Sequence, residues 1–200
     1  MFGVSKSINI VNKINAFVKS DKKHNKKYRT VITPPYTLLE SFSKKFKNKK
    51  VSIGGQNCYH KDKFGSNTGA ISSYMIKKLG AQYVIIGHSD NRAEGDNEQI
   101  LKKKMENALK NNLKKLTFPT LKKQLLKVLE KKYNKKNIIV AYEPIWSIGT
   151  GKTPSFSDLS KTTIFIKKLL RNIFKTKETI KVLYGGSVDS LSINQLKLIK

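Results

Sequence analysis

Glu143 closes a run of five apolar residues, Ile138-Ile139-Val140-Ala141-Tyr142, and is trailed closely by Pro144 and Trp146. An apolar run this short reads as a strand buried on both faces. The carboxylate then stands at the strand's end, partly withdrawn from water. Such a group suits general-base chemistry, taking a proton from a substrate and returning it elsewhere. Taken alone, a glutamate in so lysine-rich a chain reads more readily as a surface charge. Its C-terminal neighbours shift the balance. The segment Ser147-Ile148-Gly149-Thr150-Gly151-Lys152-Thr153 offers backbone N–H groups flanked by small residues, a way to hold a phosphate. Its spacing is not that of a P-loop. With Pro144 before it and Pro154 after it, the segment has stiff ends and a small-residue middle, which suits a lid that moves as a unit.

His88 is a second candidate. It comes just after the run Tyr83 to Ile86 and precedes Ser89-Asp90-Asn91-Arg92, a polar stretch that suits the first turn of a helix. A helix N-terminus there disfavours the imidazolium. A hydrogen-bonded structural histidine is the plainer alternative. Gly185-Gly186-Ser187, after the run Ile180 to Tyr184, repeats the phosphate logic with amides and a hydroxyl. His24 and His60 sit in lysine-rich, polar surroundings and read as surface residues. The spacing of His, Cys and acidic residues matches no metal site, so neither metal nor cofactor is expected.

The elements that must position these groups recur as short apolar runs succeeded by helical patterns. Five runs read as strands: Val31–Ile32, Val51–Ile53, Tyr83–Ile86, Ile138–Tyr142 and Ile180–Tyr184. Helices are expected over Leu39–Phe46, Ser72–Leu79, Asn97–Leu113, Leu121–Tyr133 and Asp158–Phe174. The last carries an apolar stripe at Leu159, Ile164, Ile166, Leu169, Leu170 and Ile173. The first nineteen residues are basic, but Ile10, Val11, Ile14, Phe17 and Val18 fall at helical spacing, which favours an amphipathic helix over a targeting segment. Repeated strand–helix units predict an α/β fold with a parallel sheet, as a single domain over 1–200. In every unit the polar residues come after the strand. Gln56, Asn57, His88, Glu143 and Ser187 are therefore expected at one carboxyl-end face.

The net charge of +28 arises from 41 Lys and Arg against 13 Asp and Glu. The arginines are only Arg29, Arg92 and Arg171, and the lysines are spread along the whole chain. Bidentate phosphate and base recognition favours arginine, so nucleic acid is expected only as a non-specific partner at low salt. No run approaches the roughly 18 apolar residues of a membrane helix. Cys58 stands alone, which fits a reducing compartment and a cytoplasmic protein.

Four blocks, in order, carry a family resemblance. Ala141-Tyr142-Glu143-Pro144-Ile145-Trp146-Ser147-Ile148-Gly149-Thr150-Gly151 resembles the signature around the catalytic glutamate of the triosephosphate isomerases. Ile85 to Arg92 resembles their Gly-His-Ser-Glu-Arg-Arg segment. Leu183 to Val188 resembles their seventh-strand phosphate loop. Gly54 to Ser72, with Asn67-Thr68-Gly69, resembles their third loop. The resemblance implies a (β/α)8 barrel and isomerisation of a small-molecule triose phosphate in glycolysis and gluconeogenesis. It implies Glu143 as base, neutral His88 as the group polarising the substrate oxygens, and Gly149, Gly186 and Ser187 on the phosphate. It implies Trp146 at the lid's hinge, Asp90 in support, and a homodimer docked through the Asn57–Ala70 loop with Thr68.

The chain also departs from the family. Asp90 and Asn91 stand where Glu and Arg are usual, and Ala70 where Glu is common. The family's first strand with its substrate-binding lysine, its fifth strand and its last strand find no counterpart. The expectation is thus an incomplete barrel with five clear parallel strands. A decayed homologue of little activity, or a basic polyanion-binding protein on the same scaffold, would be the competing outcomes.

Overall fold

Short β-branched runs form strands here because both their faces are covered, and lysine-rich stripes form helices because one side of each is apolar. The computed structural model describes residues 4–21, 29–62, 64–117, 122–144, 154–186, 188 and 196. The chain divides into two compact units, Met1–Ile85 with Glu106–Lys114, and Ile86–Met105 with Lys115–Lys200.

The first unit contains α1 (Val4–Ser20), β1 (Thr30–Ile32), α2 (Tyr36–Lys45), β2 (Val51–Gly55), α3 (Ser73–Lys78) and most of β3 (Tyr83–Ile86). The strands are parallel: Thr30 pairs with Val51 and Ile32 with Ile53, and Gly54 pairs with Tyr83. Leu38, Leu39 and Phe42 of α2, with Phe46 just beyond it, are buried, as are Val51 and Ile53 of β2. Ser72 caps α3 by accepting the Met75 N–H at 3.2 Å.

The loop after β2 is tied at both ends. The half-buried Tyr36 hydroxyl donates to the Asn57 carbonyl and accepts the Asn57 N–H at 3.1 Å. Burial, reinforced by neighbouring Cys58 and opposed by the Asn57 bond, holds that phenol well above its usual range. Farther along, Tyr59 N–H donates to the Ile71 carbonyl at 2.8 Å. The helix α5 (Glu98–Lys110) reaches into this unit at its C-terminal end, where Asn107 donates to the His60 carbonyl at 2.7 Å and Asn111 to Asp62 Oδ1 at 2.8 Å. His60 is therefore half-buried and packed on the Tyr59 ring, with 4.2 Å between centroids, rather than on the open surface as its polar neighbours suggest. His24 lies outside the described residues.

The second unit contains α4 (Ser89–Ala93), the front of α5, the strand β4 (Lys114–Thr117) from Lys115 onward, α6 (Lys122–Val128), β5 (Ile138–Tyr142), α7 (Phe156–Phe174) and β6 (Val182–Tyr184). Here too the strands are parallel: Lys115 pairs with Ile138 and Thr117 with Val140, while Val140 pairs with Val182 and Tyr142 with Tyr184.

β4 adds a strand to the five expected, in the place where the family's fifth strand finds no counterpart in the sequence. Its residues, Lys114-Lys115-Leu116-Thr117, lack the Val/Ile run that marks the others, so neither periodicity nor composition reveals it. Backbone pairing to β5 makes it a strand. The helix expected over 121–133 stops at Val128, and that over 97–113 stops at Lys110.

α7 is capped by Ser155, whose Oγ accepts the Asp158 N–H at 3.1 Å and donates to the Asp158 carboxylate at 2.6 Å. It buries Leu159, Ile166, Leu169, Leu170 and Phe174, and ends at Lys175 in the left-handed region. Ile164, expected in the apolar stripe, is 60% exposed: it falls two residues before Ile166, on the outer side of the helix. No described helix is long and apolar enough to cross a membrane.

Candidate active site

The site is built from two strand ends of the second unit. β3 finishes at the fully buried Ile86, and Gly87 then turns the chain with φ +77°, a conformation that favours glycine. The turn delivers His88 as the N-cap of α4. Its Nδ1 accepts the Asp90 N–H at 3.3 Å. In a neutral imidazole, a nitrogen that accepts a backbone N–H has no proton of its own, which leaves Nε2 as the donor. The Asp90 carboxylate lies 3.5 Å from the same Nδ1, but it is itself an acceptor and its side chain is mostly exposed. The main-chain contact is one that orients the ring.

Nε2 faces Glu143, with Oε1 at 3.5 Å. Glu143 sits immediately beyond β5 and is only 9% exposed. Its position reflects strand alternation. Tyr142 turns towards α7, where Thr162 bonds its phenol. Glu143, next along, turns towards the imidazole. Burial, then the neighbouring Tyr184 and Asp158, raise the Tyr142 phenol above its ordinary range, while the Thr162 bond opposes the shift. Tyr142 is thus a neutral phenol next to the strand-end carboxylate.

The ladder to β6 extends one residue past the strand: Gly185 N–H donates to the Tyr142 carbonyl at 2.7 Å. This bond fixes the start of the glycine pair relative to Glu143. At Gly186 a Cβ would meet the Tyr184 phenol oxygen at 2.5 Å, so any side chain there would have to displace the far end of that ring.

The structure therefore brings Glu143 and His88 together and sets Gly186 in the bend just past β6, the strand beside Glu143's own. Trp146, Gly149 and Ser187 lie outside the described residues. Gln56 and Asn57 belong to the first unit and serve its loop: Gln56 donates to the Thr33 carbonyl at 3.2 Å, and Asn57 Oδ1 accepts the Cys58 N–H at 2.8 Å. Thr68 is exposed in the same loop. Among the described residues no group of three His, Cys, Asp or Glu could hold a metal ion. Sequence reasoning passes over the Asp90 main-chain N–H, which no side-chain pattern encodes. It also passes over Ser89, whose hydroxyl is buried beside His88 without a hydrogen-bond partner among the described residues.

Known proteins resemble the chain along most of its length. A family profile described as triosephosphate isomerase matches residues 3–199. The triosephosphate isomerase of Alkaliphilus oremlandii is 32% identical over 95% of the chain and 82% of the relative's length. That of Bradyrhizobium sp. (strain ORS 278) is 36% identical over 84% of the chain and 74% of its own. Among solved structures, the crystal structure of triosephosphate isomerase from Bartonella henselae superposes with a TM-score of 0.85 at 28% identity, covering 98% of this chain and 83% of that one. A TIM-barrel fold with its strand-end glutamate and histidine in one unit, matched along nearly its whole length by these relatives, places the chain in the triosephosphate isomerase family.

Proposed function

We propose that Glu143 is the base and His88 the electrophile of the isomerisation. The chain is an isomerase that interconverts glyceraldehyde 3-phosphate and dihydroxyacetone phosphate by proton transfer through an enediolate. The observation that carries the assignment of roles is the facing pair, His88 Nε2 opposite Glu143 Oε1 at 3.5 Å, with Nδ1 held by a backbone N–H. A glutamate base beside a neutral histidine is the standing example drawn from triosephosphate isomerase itself.

The carboxylate removes a proton from the carbon next to the substrate carbonyl. The bond's electrons pass to the carbonyl oxygen, where the Nε2–H of His88 donates to the developing charge. The neighbouring hydroxyl then gives up its proton and becomes the new carbonyl, the former carbonyl oxygen gains a proton and becomes the hydroxyl, and the proton on Glu143 returns to the former carbonyl carbon, so no net proton is consumed. Glu143 is only 9% exposed, so its carboxylate meets the substrate with little competing water. The substrate phosphate is held by the Gly186 segment with Ser187 and by Gly149 on a lid hinged at Trp146, whose closure guards the enediolate from water. The enzyme works in the cytoplasm as a homodimer joined through the Asn57–Ala70 loop, where Thr68 is exposed. The facing pair favours a working enzyme over a decayed relative.

A coupled assay of the purified chain tests the roles. Glu143→Gln, which keeps the shape and removes the base, is expected to lower kcat by about a hundredfold to ten-thousandfold with a smaller change in KM. Parent-like turnover in that variant would remove Glu143 from the chemistry.

A further inference from the structure

His88 can serve only if the short helix that orients it stays where it is, and α4 has just five residues, Ser89–Ala93. Its near end is His88 itself. Its far end is wound into a turn in which Glu94 N–H donates to the Asp90 carbonyl at 3.0 Å, Gly95 N–H to the Arg92 carbonyl at 3.2 Å and Asp96 N–H to the Asn91 carbonyl at 2.9 Å. Asp96 then reaches α5. Its two carboxylate oxygens lie 2.7 and 2.6 Å from Lys104 Nζ. The Lys104 side chain is 5% exposed and that of Asp96 11%. Lys104 lies on the apolar face of α5, among buried Leu101, Met105 and Ala108. Beside this pair, the Arg92–Glu98 contact is 3.9 Å long and so the weaker tie.

We infer that Lys104 and Asp96 are positioning residues for His88: their buried ion pair clamps the far end of α4 and thereby holds the Asp90 N–H against Nδ1. The inference rests on the reading of His88 as the electrophile. A buried charge pair is not needed for stability alone, since apolar residues of similar volume can replace both partners at little cost. Its yield here is geometry. If α4 slides, the Asp90 N–H leaves Nδ1, the proton is no longer confined to Nε2, and the donor facing Glu143 is lost for part of the time. Misplacement of a reactive group by about 1 Å costs on the order of a hundredfold in rate.

The test uses the full chain with Asp96→Leu/Lys104→Met, Lys104→Gln and Lys104→Arg, assayed at a temperature where each is folded by circular dichroism. Imidazole nitrogens are read by 15N NMR. In the double variant, kcat is expected to fall by about tenfold or more with KM little changed, and the His88 ring to lose its single Nε2–H tautomer. Lys104→Arg, which retains the charge, should keep both near the parent. Should the double variant not fold, Lys104→Gln gives the same two readings. Parent kcat, or lowered kcat with an unchanged His88 tautomer, in a folded variant overturns the clamp. His88→Gln at parent turnover would instead overturn the site reading beneath it, so the two failures are distinguishable.

Discussion

The imidazole of His88 both caps a helix and faces the carboxylate, so substitutions there should separate by reach. His88→Gln keeps a side-chain donor and should lose about a hundredfold to ten-thousandfold in kcat, and His88→Ala at least as much; steady-state kinetics of folded variants check this. At Gly186 the outcome is steric. An added methyl meets the Tyr184 phenol, so Gly186→Ala should destabilise by about 1–3 kcal/mol, and Tyr184→Phe in the same background should recover part of it, as measured by urea unfolding. Glu143 and His88 are legible in the sequence because each comes after a strand-like run and precedes strong punctuation, Pro144 in one case and a polar helix start in the other. The Asp90 contact is not, since a main-chain donor has no signature of its own. Lys104 hides among neighbouring lysines, yet its spacing from Leu101, Met105 and Ala108 puts it on the buried face, the signal that could have found it.

Elements are legible in proportion to how much of their stability lies in their own side chains. β3 and β5 are Val/Ile/Tyr-rich and nearly continuous, and the apolar runs mark both within a residue of their bounds. β4 depends on its neighbour's backbone and leaves no mark. The same distinction predicts where mutations hurt. Leu170 of α7 is fully buried, and Leu170→Ala should cost about 2–5 kcal/mol. Ser155→Ala removes only the cap of that helix and should cost about 1 kcal/mol. Thermal and chemical unfolding of the two variants measures the difference. If the cap variant proves the more damaging, α7 is held by its N-terminus rather than by packing.

For the molecule as a whole, titration and charge set the working window. The Tyr36 and Tyr142 phenols are both raised in the folded state. Below about pH 10, the ordinary phenol value, they are neutral folded or unfolded and stability is unaffected. Above it the unfolded chain releases protons that the folded chain retains, so stability is expected to fall as pH rises towards the folded values. Denaturant midpoints from about pH 8 to about pH 11, a range that brackets the ordinary phenol value, should show this decline, and Tyr36→Phe should blunt it. A flat profile would mean that neither phenol is protected. The net charge of +28 predicts binding to heparin or RNA at low salt that weakens steeply as salt is added, without sequence preference. A salt-insensitive or sequence-selective interaction would point instead to a dedicated nucleic-acid surface.

The bracket that Tyr36 makes around Asn57 has a practical corollary. It lies beside Cys58, which is 1% exposed and is the sole cysteine of the chain. A maleimide or iodoacetamide cannot reach the thiol while the bracket is shut, so labelling must wait for a transient breach of the first unit. Mass spectrometry of alkylation against time would therefore clock how often that region breathes, with no probe engineered into the protein. Releasing the latch with Tyr36→Phe should make the clock run faster.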